Sequence, residues 1–242
     1  MTSTEKPGAL SSLYLKETRA YFNTPAAYIV SVAFLLITGY LTVQPLFLAN
    51  QANINGLMDL APLLFTFFVP AVTMRLLSEE QKAGTIELLQ AFPIEDHQIV
   101  AAKYLAAVTL LWSLLALTLG LPVAVGLLGK LDWGAVAVGY LGLALATAML
   151  AAIGLFASSL TRNQVVAFIL GFALAFALFI LGKMEPFVPP WLSPLSSFVG
   201  LDSHIQNMGR GVLDTRDLLY FGTFSGVFLF LTWLRLWSSR SE

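Results

Sequence analysis

Six stretches of mostly apolar residues, each long enough to cross a bilayer, constrain this chain more than any other feature. They run over about 26–48, 57–77, 104–128, 133–160, 165–181 and 218–237. About 20 such residues in a helix span the hydrocarbon layer. The runs are continuously apolar and do not alternate, which predicts helices and not barrel strands. Composition points the same way: 57% of the 242 residues are hydrophobic and 11% charged, where a soluble domain carries about 25% charged residues. A core of this size cannot hide that much apolar surface. The predicted fold class is all-α: a polytopic membrane bundle of six transmembrane helices, one domain over 26–242 preceded by an N-terminal segment over 1–25.

The first apolar run begins only near Ala26, after a mixed polar and apolar segment. That is not the pattern of a cleaved leader, and the run is long enough to stay as an anchor. With the N-terminus placed in the cytoplasm, Lys6, Lys16, Arg19, Arg75, Lys82, Lys103, Arg162, Arg235 and Arg240 fall inside. Lys130, Lys183, Arg210 and Arg216 fall outside. The bias puts both termini in the cytoplasm. Residues 9–24 bring Leu10, Leu13, Tyr14, Ala20 and Tyr21 to roughly helical spacing, with Lys16, Glu17 and Arg19 between them. This predicts a helix lying in the inner interface, broken before Pro25; a frayed tail is the plainer alternative.

Between the fifth and sixth runs, residues 182–217 hold Pro186, Pro189, Pro190 and Pro194 among Phe187, Trp191, Leu192 and Phe198. Prolines cut helices and aromatics favour the interface. The expectation is a broken-helix, partly embedded extracytoplasmic cap, set against an ordinary exposed loop. Small residues four apart, Gly142 with Ala146 and Ala167 with Gly171 and Ala175, let helices approach closely. They serve either packing within one chain or a subunit interface. Pro70 and Pro122 remove backbone donors and are expected to kink the second and third spans.

The loop between the second and third spans carries the most specific pattern. It reads SEEQKAGTIELLQAFPI over residues 78–94, then EDHQIVAAK to Lys103. Gly84 permits a sharp turn, and Thr85 can cap a helix beginning at Ile86. Leu88, Leu89 and Phe92 make an apolar stripe at helical spacing, which Pro93 stops. Asp96 can cap the following helix. A short amphipathic helix between two spans can dock into a soluble partner and pass motion into the membrane, or simply rest on the bilayer.

The motif E-x-x-x-G-T-x-E-L-L-x-x-x-P, at Glu80, Gly84, Thr85, Glu87, Leu88, Leu89 and Pro93, resembles the hallmark loop of ABC-2 type permeases. Lys103 matches the lysine that follows it in that family. Four further pieces resemble the gliding-motility-associated permease subfamily: residues 22–30 (FNTPAAYIV), 69–75 (VPAVTMR), 163–168 (NQVVAF) and 210–217 (RGVLDTRD). They spread over most of the chain. The resemblance implies that residues 84–93 form a coupling helix contacting an ABC ATPase subunit. It implies two membrane subunits, a second copy of this chain or a related one, and two ATPase subunits that bind the ATP and Mg. It further implies a possible auxiliary membrane protein with an extracytoplasmic domain, and a place in a bacterial inner membrane.

Other chemistry finds little support. There is no cysteine, hence no thiol nucleophile, disulfide or thiolate metal site. The net charge of −1 gives no general attraction to nucleic acid. No phosphate-binding Gly-x-x-x-x-Gly-Lys-Ser/Thr is present, so ATP hydrolysis is expected on another polypeptide. His97 and His204 fall on opposite sides of the membrane, outside any metal cluster, and read as ordinary interface residues. Few ionisable residues sit inside the spans, Arg75 and Asp59 standing near the two ends of the second; their scarcity argues against an ion path and suits an apolar or amphipathic substrate. The leading expectation is an ATP-powered permease, working as an exporter. A non-transporting scaffold of a larger assembly and a lipid-acting membrane enzyme are the alternatives; the latter needs a polar catalytic cluster at one depth, and the sequence offers none.

Overall fold

The structure, a computed structural model, describes residues 8–49, 55–87, 94–184, 189, 191, 196 and 198–240. The described elements are α1 (Ala9–Phe22), α2 (Pro25–Ala49), α3 (Asn55–Thr73), α4 (Ser78–Ala83), α5 (Asp96–Thr118), α6 (Gly120–Leu128), α7 (Trp133–Ser159), α8 (Gln164–Lys183), α9 (Leu201–Gly209) and α10 (Thr215–Arg240). Five stretches are each long and apolar enough to cross a membrane: Gly56–Ala83, Asp96–Leu128, Trp133–Ser159, Gln164–Lys183 and Thr215–Ser238. α1 and α2 meet at a bend of 66° and make a sixth as a pair.

Two of the spans outrun their predicted bounds. The second continues past residue 77 to Ala83 as a 28-residue rod of α3, a turn and α4. The third begins at Asp96, so Lys103 lies well inside its helix. Polar residues fix several helix starts. Asp132 accepts the backbone N–H groups of Gly134 (2.9 Å) and Ala135 (3.2 Å) at the head of α7. Asn163 accepts that of Val165 at the head of α8, and Asp214 that of Arg216 beside α10. Each satisfies donors that a helix start leaves without partners. Asp96, in contrast, is not a cap: Glu95 holds that position and Asp96 is the first helical residue.

α7 is the axis of the bundle. It packs against α3, α5, α8, α9 and α10, and residues 149–155 include a continuous fully buried run from Met149 to Ile153. Small residues make this possible. A methyl group on Gly154 would collide with Thr73 of α3, and one on Gly171 of α8 would press on Pro70 at 3.3 Å. Ala146, Ala167 and Ala175 are buried as well. The small-residue spacing thus serves packing within the chain. Apolar side chains on other faces stay exposed, for example Ile29, Leu36 and Tyr40 on α2 and Val165 and Ile169 on α8, as lipid contact requires.

The two prolines singled out behave differently. α3 runs unbroken through Pro70, and also through Pro62; its hydrogen-bond ladder is interrupted later, at residues 74–77. Pro122 does mark a break, between α5 and α6 at Leu119. A proline has no N–H to give the carbonyl four residues back, here Thr118. The hydroxyl of Tyr140, reaching across from α7, donates to that carbonyl at 3.0 Å. Tyr140→Phe leaves a buried carbonyl without a donor, at a cost of about 1–3 kcal/mol. The expected result is a lower melting temperature of the detergent-solubilised protein; an unchanged one would show that the carbonyl finds another donor.

α9 lies at the end of the bundle opposite α4. Leu201, Ile205 and Met208 are fully buried, and Met208 sits over Gly142 while Met58 sits over Gly139. Gly200 and Gly182 approach backbone to backbone with no room for a methyl group. A helix packed on the bundle therefore occupies part of the predicted broken-helix cap. Residues 185–188, 190, 192–195 and 197 lie outside the described ones.

Candidate functional site

α1 lies along α5 and is fastened to the bundle by polar contacts as well as apolar ones. Leu13 packs with Ile99 and Ala102 of α5. The Tyr14 hydroxyl meets that of Thr109 at 3.0 Å, and the Tyr21 hydroxyl donates to the Val72 carbonyl of α3 at 3.1 Å. Between these two contacts, Lys103 of α5 reaches both Glu17 of α1 and Glu80 of α4. Its Nζ donates to Glu80 Oε1 at 2.8 Å and to Glu17 Oε1 at 3.1 Å. The Lys103 side chain is 2% exposed, against 14% and 17% for the two glutamates.

Burying an ammonium group is expensive unless carboxylates and hydrogen bonds replace its water. Two carboxylates do so here, and the three side chains together carry one net negative charge. They join three elements far apart in sequence at one point. Beside them lies a cavity of about 330 Å³, lined in part by Lys16, Tyr21, Arg75, Glu79 and Thr85. Charges of both signs face it, with no nucleophile and base in the arrangement hydrolysis demands. The arrangement suits a mechanical tether.

A second set of bonds holds the α3–α4 junction to the end of α7. The Ser158 hydroxyl accepts the backbone N–H groups of Leu77 and Ser78, both at 3.0 Å, and donates to the Met74 carbonyl at 3.0 Å. Gln81 donates to the Ser159 carbonyl at 2.9 Å. α4 is therefore attached at one side to α1 and α5 through Glu80 and at the other to α7.

Beyond α4 the chain turns at Gly84, whose φ of 68° is left-handed, a conformation that favours glycine. Its N–H donates to the Glu80 carbonyl. Thr85 does not cap a helix beginning at Ile86. It is itself the first of the described helical residues 85–87, and its hydroxyl turns back to the same Glu80 carbonyl at 3.5 Å, which thus accepts from both Gly84 and Thr85. Ile86 packs on the core and Glu87 is exposed. Leu88, Leu89 and Pro93 lie outside the described residues. The structure thus brings Glu80, Gly84, Thr85 and Lys103 together. Sequence reading missed Glu17 and Ser158. Glu17 carried a signal, being the carboxylate nearest the first span in a chain that buries a lysine; a serine at a helix end carried none.

At the opposite end His204 is not an ordinary interface residue. It is buried, with Nδ1 at 2.6 Å from Asp217 Oδ1 and Nε2 at 3.0 Å from the Phe198 carbonyl, and its ring stacks on Tyr220 at 4.0 Å between centroids. His97, by contrast, is exposed and lies 3.0 Å from Glu95.

Compared with curated proteins, the chain matches none. Compared with protein families, residues 40–236 match the ABC-2 family transporter protein model, a stretch that takes in five of the six spans and most of the Lys103 site. The chain therefore belongs to the ABC-2 family of transporter proteins and is a membrane permease component of an ABC transporter, a subunit distinct from the ATPase that such a component works with.

Proposed function

We propose that this chain is the membrane subunit of an ATP-driven exporter in a bacterial inner membrane, with both termini cytoplasmic. Residues 84–93 form its coupling helix. Gly84, Thr85, Glu87, Leu88, Leu89 and Pro93 shape the part that meets the ATPase, while Glu80 and Lys103 tie that part to the bundle. Two ATPase subunits holding ATP and Mg, and a second copy of this chain or a related permease, complete the transporter. An auxiliary membrane protein with an extracytoplasmic domain joins it, and membrane lipid surrounds it. The four sequence pieces at 22–30, 69–75, 163–168 and 210–217 favour the gliding-motility-associated subfamily, without assigning a role in gliding.

One observation carries the reading: buried Lys103 binds α4 to α1 and α5 immediately before the turn at Gly84. A push delivered at 84–93 therefore reaches three elements of the bundle and is not lost in a loop. The scarcity of ionisable groups in the apolar runs of the sequence supports an apolar or amphipathic substrate over ion movement.

The experiment is co-purification with the ATPase. Leu88→Asp with Leu89→Asp places charges on the stripe assigned to the partner. Losing two apolar anchors is expected to weaken the complex by about tenfold or more, since each tenfold is about 1.4 kcal/mol. Membrane insertion should be unchanged. Full retention of the ATPase by the double variant would remove the coupling assignment.

A further inference from the structure

In an unbroken helix the N–H of residue 78 would donate to the carbonyl of residue 74, and that of residue 77 to the carbonyl of residue 73. Neither bond forms here. The Leu77 and Ser78 N–H groups both donate to Ser158 Oγ, and Ser158 Oγ donates in turn to Met74 O, all at 3.0 Å. The Thr73 carbonyl takes the N–H of Leu76 instead, at 3.1 Å. The hydroxyl has entered the ladder between donor and acceptor, a place a water molecule takes in other interrupted helices. Ser158 is fully buried, so no solvent competes for these bonds. A serine in a helix ordinarily returns its hydrogen bond to its own preceding turn; this one gives its bond to a neighbouring helix.

Despite the inserted hydroxyl, residues 56–83 remain one rod. The rod has one interrupted segment, 74–77, set between the apolar span and α4. Below it, Gly154 presses against Thr73 with no space for a methyl group, which fixes α3 against α7. Above it, Gln81 holds the Ser159 carbonyl by a single side-chain bond, and Glu80 holds Lys103. The rod is rigidly packed on one side of the interruption and held by side-chain bonds on the other.

We propose that Ser158 is a positioning residue for coupling: its hydroxyl keeps the α3–α4 rod open at residues 74–78, making this the flexing point through which α4 moves relative to the span. The inference rests on the coupling reading above. Ser158 makes no contact with a transported molecule in this account; it acts through the backbone of α4. Removing the hydroxyl allows Ser78 N–H to join Met74 O, which also accepts the Ser78 hydroxyl; one bond of the ladder is restored across the interruption, which stiffens the rod.

The absence of cysteine makes the test direct. Spin labels go on Asp59→Cys and Lys82→Cys, two exposed positions near the ends of the rod, about 35 Å apart by helical rise. Their separation is measured in the assembled complex with the ATPase, nucleotide-free and with a non-hydrolysable ATP analogue. In the otherwise native chain the distance is expected to differ between the two states. In Ser158→Ala it is expected to be the same in both and to equal the longer native value. Ser158→Thr, which keeps the hydroxyl, is expected to restore the change; if it does not fit, Ser158→Gly offers a second variant without the hydroxyl.

Failure of the ATPase to bind the native chain would overturn the coupling reading itself. ATPase binding with no nucleotide-dependent distance change in the native chain would overturn the flexing point alone. So would a change in Ser158→Ala or Ser158→Gly as large as the native one.

Discussion

Replacing Lys103 with alanine is expected to lower stability by about 3–5 kcal/mol, the usual cost of removing one partner from a buried ion pair. Two carboxylates lose their common cation at once. Glu80 and Glu17 then face each other at the junction of α1, α4 and α5, each only partly open to solvent. Their repulsion acts on the elements Lys103 had joined, so α1 should loosen from α5 and protease access to residues 8–24 should rise. The measurement is thermal unfolding of the detergent-solubilised protein, followed by limited proteolysis. Lys103→Met with Glu17→Gln and Glu80→Gln removes all three charges while keeping most of the volume. Replacing a complete buried ion cluster by neutral groups is often close to neutral in stability, so this triple variant is expected to be clearly more stable than Lys103→Ala. If Lys103→Ala alone unfolds at the native temperature, the triad holds nothing together. If the triple variant is stable yet fails to respond to the ATPase, the charges serve coupling beyond their contribution to stability.

What could be read from the sequence divides along physical lines. Spans were legible because a bilayer imposes length and apolarity on each segment separately, so runs such as 133–160 and 165–181 fall within a few residues of α7 and α8. Local backbone chemistry was legible at Gly84, where only a left-handed turn ends α4 so abruptly, and at Pro122, where a missing donor interrupts the third span. Cap assignments were weaker. Thr85 and Asp96 are good capping types, but the Thr85 hydroxyl turned back to the Glu80 carbonyl and Asp96 was displaced one position by Glu95. Contacts between remote positions were not legible at all. The Glu17–Lys103 bond joins residues 86 apart in sequence and the Ser158–Ser78 bond residues 80 apart. Nothing in local pattern distinguishes Ser158 from Ser159, whose hydroxyl bonds to its own turn and whose carbonyl accepts from Gln81. The same holds for His204: only the fold shows that α9 turns it toward the first turn of α10.

That histidine gives the second large effect. A carbonyl cannot donate, so His204 Nε2 carries the proton in its contact with Phe198 O. At Nδ1 the imidazole meets Asp217 Oδ1, 2.6 Å away. His204 thus bridges the backbone before α9 to the start of α10, while Tyr220 stacks on its ring and donates to the Val199 carbonyl at 2.8 Å. The carboxylate also sits in the first turn of α10, where helix N–H groups favour negative charge. His204→Ala takes away both bonds and the stacked ring, leaving a buried carboxylate and a carbonyl without that partner. The expected loss is about 3–5 kcal/mol, seen as a drop in melting temperature. Asp217→Ala removes the other half of the pair and should be costly as well. Because both substitutions break the same bond, His204→Ala with Asp217→Ala should lose less than the sum of the two single losses, by about 0.5–3 kcal/mol. Strict additivity would mean that the imidazole and the carboxylate stabilise the cap independently and that their short contact contributes nothing. A deficit of that size would instead make the pair a clasp. It would hold α9 against the last span at the end of the bundle remote from Lys103, so that a movement starting at α4 meets a fixed α9–α10 joint at the other end.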